Sequence, residues 1–197
     1  MVIACKDPDF AKKNDIDQKT ACHFIEEDKK HNLWQSKKTN QVYHNWSKSK
    51  PVIREARLSD YKELAKMRKV AHKESEYVND ISEDAAKAML ETELQASDRL
   101  AYFAVDGSRI VGQLFLEIKS EDTLYIRLIS TLHETKGTGL GKSLLDKAMA
   151  IAKDKSCKQV ELIVNKENLI AIRFYEKYGF IEKADYNRKN KIMIKKV

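Results

Sequence analysis

The chain of 197 residues is long enough for one globular domain with an appendage, and 42% of its residues are hydrophobic while 34% are charged. No apolar run approaches the roughly 18 residues of a membrane-spanning helix, which argues against a membrane protein. The three cysteines, Cys5, Cys22 and Cys157, fit neither a disulfide framework nor a zinc site, so the sequence predicts a reducing, cytoplasmic location and no bound metal.

The net charge of +7 is concentrated at the two ends of the chain. Residues 1–50 carry ten lysines and seven acidic residues, and Tyr186–Val197 carries five basic residues and no acidic one. Basic ends are found in nucleic-acid-binding proteins, but no helix-turn-helix, zinc-finger or RNA-binding pattern accompanies them here. The sequence therefore favours solvated termini over a nucleic-acid surface.

Residues 1–50 are predicted to form an N-terminal extension that docks on the body or on a partner. Aromatic residues such as Trp34 argue against complete disorder, although no hydrophobic period is sustained. The stretch Asp15–Lys30 is compatible with one short helix that buries Ile16 and Phe24. The histidines of this segment have no ligand spacing, which favours surface histidines over a metal site.

Strand and helix patterns alternate after Lys50-Pro51, which marks the predicted domain boundary. In chain order, the predicted elements are a strand at Val52–Ala56, a helix capped by Ser59-Asp60 and ending near His72, a helix capped by Ser82 that buries Ala85, Ala86, Met89, Leu90 and Leu94, and strands at Leu100–Val105, Ile110–Ile118 and Leu124–Leu132. Asp106-Gly107 is a hairpin signal, so the last three strands should form an antiparallel meander.

The most informative stretch reads as strand, glycine-rich turn and helix. The strand Leu124–Leu132 is followed by Lys136-Gly137-Thr138-Gly139-Leu140-Gly141-Lys142-Ser143, and apolar residues then recur at helical spacing up to Ala152. Three glycines at every second position let the backbone approach a ligand and leave N–H groups free to bind it. Because a helix begins there, its positive N-terminus adds to an anion site, most often one for phosphate.

Two nucleotide-binding motifs do not match this turn. A P-loop needs glycine at position 136, where Lys136 stands, and no later strand ends in a magnesium-binding aspartate. A dinucleotide-binding turn fails on the spacing after Gly139, and too little chain follows for its sheet. A glycine-rich turn without any ligand is the remaining alternative to a phosphate site.

The turn instead resembles the R/Q-x-x-G-x-G/A motif that cradles the coenzyme A pyrophosphate in the GNAT superfamily of acyl-CoA-dependent N-acyltransferases. Lys136 takes the Arg/Gln position, a conservative departure, and Gly139 and Gly141 take the two glycine positions. Further along, Asn168 reads as a helix N-cap and Gly179 as the C-terminal stop. The run from Asn168 resembles the second GNAT motif, N-x-x-A-x-x-x-Y-x-x-x-G-F, and every signature residue of that pattern is present.

A strand at Gln159–Val164 follows the central helix, so it should run parallel to Leu124–Leu132 through a right-handed crossover. Phe180–Ala184 and Lys191–Ile194 are predicted to supply a closing hairpin. Together with the two motifs, this order implies an α+β protein of the GNAT fold over residues 51–197. That fold is a mixed, mostly antiparallel sheet with one splayed parallel strand pair and helices on both faces.

The resemblance implies acetyl-CoA as co-substrate, with its pantetheine arm between the splayed strands and its pyrophosphate on the glycine-rich turn. The residues implied to bind it are Thr131, Leu132, Lys136, Gly137, Thr138, Gly139, Leu140, Gly141, Lys142, Ser143 and Asn168. Backbone groups around Thr131 and Leu132 would pair with the pantetheine amides.

Acyl transfer from a thioester to an amine needs a proton for the leaving thiolate and a base for the amine. The resemblance assigns the proton to Tyr175; an aromatic side chain packed on the helix is the alternative, but Phe174 already serves as the apolar residue. Many family members carry a glutamate on the strand before the turn, where this chain has Tyr125. The substitutes for that base are Glu117, His133, Glu134 or a water relay.

The predicted function is therefore a cytoplasmic N-acetyltransferase that moves an acetyl group from acetyl-CoA to a primary amine of a small molecule, peptide or protein. Acceptor contacts are expected from the first two helices and the strand ends, where Tyr77, Tyr102 and Glu117 lie. A non-catalytic acyl-CoA-binding regulatory module is the alternative, because the strand carboxylate is missing. The sequence is also compatible with a homodimer.

Overall fold

The computed structural model describes residues 50–197 and, before them, the backbone of the strands at residues 24–28, 33–36 and 42–44. These strands, β1 (Phe24–Asp28), β2 (Leu33–Ser36) and β3 (Val42–His44), form an antiparallel sheet in the order β1-β2-β3. The helix predicted over Asp15–Lys30 is therefore wrong at β1, where the backbone forms hydrogen bonds with β2 instead. No local pattern in the sequence revealed this pairing. The rest of that predicted helix lies outside the described residues.

A seven-stranded sheet forms the centre of the described body. Its strands are β4 (Val52–Glu55), β5 (Arg99–Asp106), β6 (Arg109–Ser120), β7 (Thr123–Thr131), β8 (Gln159–Asn165), β9 (Ile181–Asp185) and β10 (Asn190–Lys196), in the order β4-β5-β6-β7-β8-β10-β9. Neighbouring strands are antiparallel except for β7 and β8, which are parallel. The predicted mixed sheet, its meander and its one parallel pair are confirmed. At the β5–β6 turn, Gly107 has a φ of 58°, which glycine adopts without strain.

Helices cover both faces of this sheet. They are α1 (Tyr61–Glu74), α2 (Glu83–Gln95), α3 (Leu140–Asp154) and α4 (Leu169–Tyr178). Adjacent strand residues point to opposite faces, and on β6 the side chain of Gln113 reaches α1 while a Cβ at Gly112 would meet Leu144 of α3. Thus α1 lies on one face, with α2 beside it through the contact of Arg68 with Met89, and α3 lies on the other, so the prediction of helices on both faces is confirmed.

The first two helices differ from the prediction in detail. A 3-10 turn, Leu58–Asp60, precedes α1, and the Asp60 carboxylate binds the Arg54 guanidinium (2.8 Å) instead of capping the helix. Ser82 does cap α2, because its hydroxyl accepts the Ala85 N–H (3.1 Å). The side chains of Ala85 and Leu94, predicted as buried, are exposed.

Glu93 takes the buried position that the hydrophobic pattern assigned to Leu94. It is 5% exposed, and both of its carboxylate oxygens accept from Arg127 of β7 (2.6 Å each), while Arg99 contacts one of them at 3.4 Å. A charged side chain is buried when an opposite charge binds it, and a partner 34 residues away is invisible to a local pattern. No helix in the part of the chain that the structure describes is long and apolar enough to span a membrane.

Candidate active site

The central cleft lies where β7 and β8 separate. Their parallel pairing runs from Thr123 opposite Gln159 to Ile126 opposite Leu162 and then stops, although β7 continues to Thr131. On its other side β7 stays paired with β6 along this length. An unpaired strand edge presents free N–H and C=O groups. The end of β7 therefore offers backbone hydrogen-bonding groups to a ligand.

The register of β7 on β6 decides which groups face this cleft. The Leu132 N–H donates to the Val111 carbonyl (2.9 Å), and hydrogen-bonded pairs alternate with non-bonded pairs in an antiparallel ladder. Ile129 and Thr131 are therefore in non-bonded pairs, and their backbone groups point toward the open edge. The Leu132 carbonyl accepts the N–H (3.0 Å) and the hydroxyl (2.7 Å) of Thr135. Both backbone groups of Leu132 thus have partners within the protein, whereas those of Thr131 are open, and the pairing of these residues with pantetheine stays a prediction.

Two adjoining cavities form one groove along the cleft. The larger, of about 720 Å³, lies between the C-terminal end of α1, the end of β7 and the first half of α4. The second, of about 580 Å³, lies over the glycine-rich turn and the start of α3. Both are lined by Thr131, Gly141, Ile170 and Phe174. A long ligand can therefore extend from the turn to α4 without leaving the groove.

The glycine-rich turn carries four unpaired backbone donors. Within the residues that the structure describes, the N–H groups of Gly137, Gly139, Gly141 and Lys142 have no acceptor, and all four residues line the smaller cavity. Gly137 and Gly139 have φ angles of 78° and 82°, a conformation that side chains other than glycine rarely adopt. Helix α3 begins at the next residue, so its positive end faces the same cavity. This arrangement is suited to an anion such as a pyrophosphate.

Other residues of the turn hold its shape. The Thr138 hydroxyl donates to the Thr135 carbonyl (2.6 Å), and the Ser143 N–H donates to the Gly139 carbonyl (3.0 Å). Neither Thr138 nor Ser143 lines either of the two cavities, whereas the predicted cofactor residues Lys136 and Leu140 line the smaller one. We infer that Thr138 and Ser143 position the donors without contacting a ligand.

Gly141 has a second role that its spacing did not reveal. A Cβ at this position would lie 3.2 Å from Cζ of Phe174, which is closer than a comfortable contact. Glycine here lets the first turn of α3 pack against α4, and this packing joins the two halves of the groove.

The rim of the smaller cavity is positively charged. Lys142 is paired with Asp146 (2.8 Å), and the hydroxyl of Tyr178 donates to the same carboxylate (2.7 Å). The Lys142 and Tyr178 bonds hold the pKa of Asp146 below its usual value. Lys136 and Lys177 also line the cavity and have no acidic partner in the described part of the chain. Uncompensated lysines favour an anionic ligand.

Tyr175 supplies an unpaired hydroxyl to the larger cavity. Its side chain is 9% exposed, and its ring packs against Phe174 (5.5 Å between centroids) and Phe180 (5.8 Å). Among the described residues nothing hydrogen-bonds to the hydroxyl, although the residue lines the cavity. Burial raises the pKa of Tyr175 to about 12. The phenol therefore keeps its proton at neutral pH and can donate it.

Asn168 contributes to the same cavity from the start of α4. Its side-chain oxygen accepts the Ala171 N–H (3.1 Å), which is the predicted N-cap. The residue also lines the larger cavity. Asn168 thus fixes the helix that carries Tyr175 and Phe174 beside the cleft.

The bases proposed from the sequence lie away from the groove. Glu117 is paired with Arg127 (3.4 Å) and Glu134 with Arg109 (2.7 Å). Neither of them lines the two cavities, and nor does His133. Carboxylates held by guanidinium groups outside the cleft are poorly placed to accept a proton from a bound amine.

Of the two tyrosines expected to contact the acceptor, only one lines the groove. Tyr77 lines the larger cavity, as predicted. Tyr102 is buried beneath Lys147, whose Nζ lies 4.7 Å from the ring centroid, and it lines neither cavity. The side chain of Tyr102 belongs to the core instead.

His72 is a site residue that the sequence reasoning missed. It lies in the last turn of α1 and lines the larger cavity with Tyr175. Its Nδ1 is 2.8 Å from the Val78 carbonyl, and since a carbonyl only accepts, Nδ1 carries the proton. In the neutral ring, Nε2 is then left as an acceptor. Residues 51–197 contain only two histidines, His72 and His133, and neither has a motif that distinguishes it.

No group of three or more metal-ligating side chains is present among the described residues. The groove is lined by backbone donors, lysines, two glutamates, the phenols of Tyr77, Tyr175 and Tyr178, and the imidazole of His72.

Comparison with known proteins identifies the family. The model of the acetyltransferase (GNAT) family matches residues 61–180, more than half of the chain. The 5-NmdU N-acetyltransferase of Pseudomonas phage PaMx11 is 30% identical over 132 residues, which cover 66% of this chain and 86% of that protein. The uncharacterized protein YxbD of Bacillus subtilis (strain 168) is 36% identical over 75 residues, which cover 38% of this chain and 45% of YxbD. This match thus spans less than half the length of YxbD.

Solved structures share the fold. The PaiA N-acetyltransferase of Thermoplasma acidophilum, crystallised in complex with coenzyme A, has a TM-score of 0.65 and 23% identity, covering 74% of this chain and 98% of that one. An acetyltransferase of Thermus thermophilus has a TM-score of 0.67 and 16% identity, covering 75% and 97%. The family match, the phage relative and the common fold show that this chain belongs to the GNAT family of acetyltransferases.

Proposed function

We propose that this protein transfers an acetyl group from acetyl-CoA to a primary amine. The observation that carries the proposal is the continuous groove, which has four unpaired N–H groups at one end and the unpaired Tyr175 hydroxyl at the other. Between them runs the unpaired edge of β7. These features match the three parts of an acyl-CoA: a pyrophosphate, an amide-bearing arm and a thioester.

The donor would bind with its pyrophosphate on the turn, where the helix end and Lys136 offset its charge. Its pantetheine amides would pair with backbone groups of Ile129 and Thr131, as an added strand pairs with an open edge. This places the thioester in the larger cavity, beside Tyr175. The phenol would then protonate the thiolate as it leaves.

His72 is the base that the geometry supports. An alkyl amine of pKa about 10.4 is neutral in only about one molecule in 2,500 at pH 7, a cost of about 4.6 kcal/mol that a base reduces. Imidazole is the side chain most often used as a general base, and His72 faces the cavity with Nε2 left as an acceptor. The Val78 carbonyl holds the ring in this tautomer.

A nitrogen acceptor is supported by the phage relative, which is an N-acetyltransferase by name. Glu74, Glu76 and Tyr77 line the cavity around the proposed acceptor position. Glu74 accepts the His133 N–H (2.8 Å), and the charges of Glu74 and Glu76 would together attract a cationic amine.

Residues 1–50 are proposed to be a docked extension and residues 51–197 the catalytic domain, acting in the cytoplasm. Strand β3 contacts the 3-10 turn His133–Thr135, next to the glycine-rich turn, and this contact supports docking on the body. The division of the chain stays a prediction, as does a homodimer.

The direct test is a thiol-release assay with acetyl-CoA and a panel of polyamines, amino acids, aminoglycosides and peptides with free N-termini. We expect at least one amine to raise thiol release above the rate without amine, and mass spectrometry to find the amine heavier by one acetyl group. Calorimetry with coenzyme A runs in parallel. Tight binding without turnover on any amine would favour the non-catalytic acyl-CoA-binding module instead, and absence of binding would refute both functions.

A further inference from the structure

A buried polar chain, formed by the side chains of Arg68, Gln113 and Ser130, leads from α1 along one face of the sheet to the larger cavity. Arg68 Nε donates to Gln113 Oε1 (3.1 Å), and Gln113 Nε2 donates to Ser130 Oγ (2.7 Å). Arg68 is 8% exposed, Gln113 is 0% exposed, and Ser130 lines the cavity that also contains Tyr175. Burying polar side chains costs free energy, which makes this polar chain a candidate for a functional role.

The hydrogen bonds of the polar chain all run in one direction, from Arg68 toward Ser130. A guanidinium can only donate, so the Gln113 oxygen faces Arg68 and its NH₂ group faces Ser130. The Ser130 oxygen thus accepts from Gln113, and its own proton has no acceptor in the part of the chain that the structure describes. The O–H is free to point into the cavity.

Arg68, at the end of the polar chain away from the cavity, carries a positive charge that no described carboxylate pairs with. Among the described contacts, Arg68 bonds to Gln113 and approaches the sulfur of Met89 (3.7 Å), and no acidic group pairs with it. Burial lowers the pKa of Arg68 as a result. Successive donors aligned from a cation polarise one another. The Ser130 proton is therefore a stronger donor than an isolated hydroxyl, and it favours an acceptor that gains negative charge.

We propose that Ser130 is a catalytic residue whose hydroxyl binds the thioester oxygen of the acetyl donor, while Arg68 and Gln113 position and polarise it. The inference rests on the proposed acetyltransferase function. Ser130 lies on β7 between Ile129 and Thr131, whose backbone groups face the open edge. The thioester oxygen is the atom of the donor on which negative charge develops.

The electron balance is that of acyl transfer. The amine nitrogen bonds to the carbonyl carbon, the C=O π pair moves onto the oxygen, and the Ser130 hydrogen bond stabilises that oxyanion. The amine gives up its extra proton to His72. When the carbonyl re-forms, the C–S bond breaks and the thiolate takes the proton of Tyr175. Solvent then returns a proton to the phenolate and removes one from the imidazolium.

Three substitutions separate this role from simple support of the fold. Ser130→Ala removes the donor, whereas Ser130→Thr keeps a hydroxyl and should retain activity to within about tenfold. Gln113→Glu keeps the size of the side chain but replaces its NH₂ group by a second oxygen. The resulting carboxylate accepts from Arg68 through one oxygen and from the Ser130 hydroxyl through the other. The serine proton then turns away from the cavity while Arg68 gains a partner. We expect thermal stability to be kept or raised in Gln113→Glu while kcat falls.

The experiment measures kcat, the KM for acetyl-CoA and the thermal midpoint of the three variants, using an accepted amine. In Ser130→Ala and Gln113→Glu, kcat should fall by about 10²-fold, the usual effect of one oxyanion donor, with the KM changed by less than about threefold. Infrared spectra of bound acetyl-CoA, labelled with ¹³C at the carbonyl, provide a readout of the contact itself. The wild-type carbonyl band should lie below its position in water, and the shift should shrink in both variants.

Each outcome supports or refutes the proposal. An unchanged carbonyl band and unchanged kcat in Gln113→Glu would overturn it, and this variant is informative even when Ser130→Ala does not fold. Loss of activity only in parallel with lost stability would show a structural role and would also overturn it. A wild-type protein that binds no acetyl-CoA would instead refute the proposed function, which calorimetry detects independently of the variants.

Discussion

Removing the Tyr175 hydroxyl tests the proposed mechanism most directly. The change Tyr175→Phe deletes one oxygen from a side chain whose hydroxyl has no hydrogen-bond partner among the described residues. The ring contacts with Phe174 and Phe180, at 5.5 Å and 5.8 Å between centroids, are kept. The helix that carries the residue should therefore pack as before.

The expected magnitudes follow from these contacts. A positioned general acid contributes about 10²–10⁴ in rate, so kcat should fall by this factor, or about 2.7–5.5 kcal/mol in activation free energy. No intramolecular hydrogen bond is lost, so the thermal midpoint should stay within about 4 °C. Affinity for coenzyme A should change by at most the ~1 kcal/mol of one hydrogen bond. Turnover is lost while binding and folding are retained.

The raised pKa of Tyr175 adds a pH dependence with a defined sign. Burial raises the pKa to about 12 from an ordinary 10.0, so the phenol is protonated in both the folded and unfolded states below pH 10. Between pH 10 and 12 the unfolded state loses this proton first, and the folded state is destabilised by up to about 2.7 kcal/mol. Denaturation of wild type and Tyr175→Phe should therefore diverge only above pH 10, and kcat should show no alkaline loss from Tyr175 below that pH.

The assay is steady-state thiol release with a confirmed amine, with calorimetric titration of coenzyme A and thermal melts on the same samples. Tyr125→Phe is the matched control, because Tyr125 is half-buried on β7 and lines neither cavity. Full activity in Tyr175→Phe would refute the reasoning and would require water or the amine to supply the proton. A large loss of coenzyme A affinity would show instead that the hydroxyl holds the donor.

Three further predictions concern the turn, the base and the extension. Gly139→Asp should bind coenzyme A about 10²-fold more weakly than Gly139→Asn, because both tolerate the left-handed backbone and only Asp repels a phosphate; equal affinities by calorimetry would refute the pyrophosphate site. His72→Asn, which keeps a donor for the Val78 carbonyl, should lower kcat/KM by about 10²–10⁴ while the control His133→Asn does not, and equal effects of the two would remove His72 from the mechanism. A chain truncated to begin at Lys50 should fold by circular dichroism and bind coenzyme A, and an unfolded product would place the extension in the core.

Several parts of the site are local in sequence, and the sequence alone predicted them. The turn around Gly139 and the capped helix from Asn168 each depend on residues within about a dozen positions, where glycine conformation and capping act directly. The parallel pair β7 and β8 followed from the short crossover between them. The predicted order of the strands and the position of Tyr175 in the cleft depended on such short-range rules.

Contacts between distant residues were decided only by the tertiary structure. Arg109 forms an ion pair with Glu134, and Arg127 forms one with Glu117. Both glutamates were predicted as possible bases, and both pairs lie outside the groove. The register of β7 on β6 pairs the Leu132 N–H with the Val111 carbonyl. The sequence does not reveal this register, and a shift of one residue would reverse the direction of every backbone group.

The buried chain to Ser130 illustrates the same limit. Its links span 45 and 17 residues of sequence, and nothing in the local pattern distinguishes Gln113 from a surface glutamine. A buried polar side chain is stabilised by partners that only folding brings to it. The sequence by itself therefore determined the family, the glycine-rich turn and the helix that carries Tyr175. The packing of α1 against β6 and the pairing of β6 with β7 decided which other side chains reach the cleft, because hydrogen bonds between distant segments exist only in the folded chain.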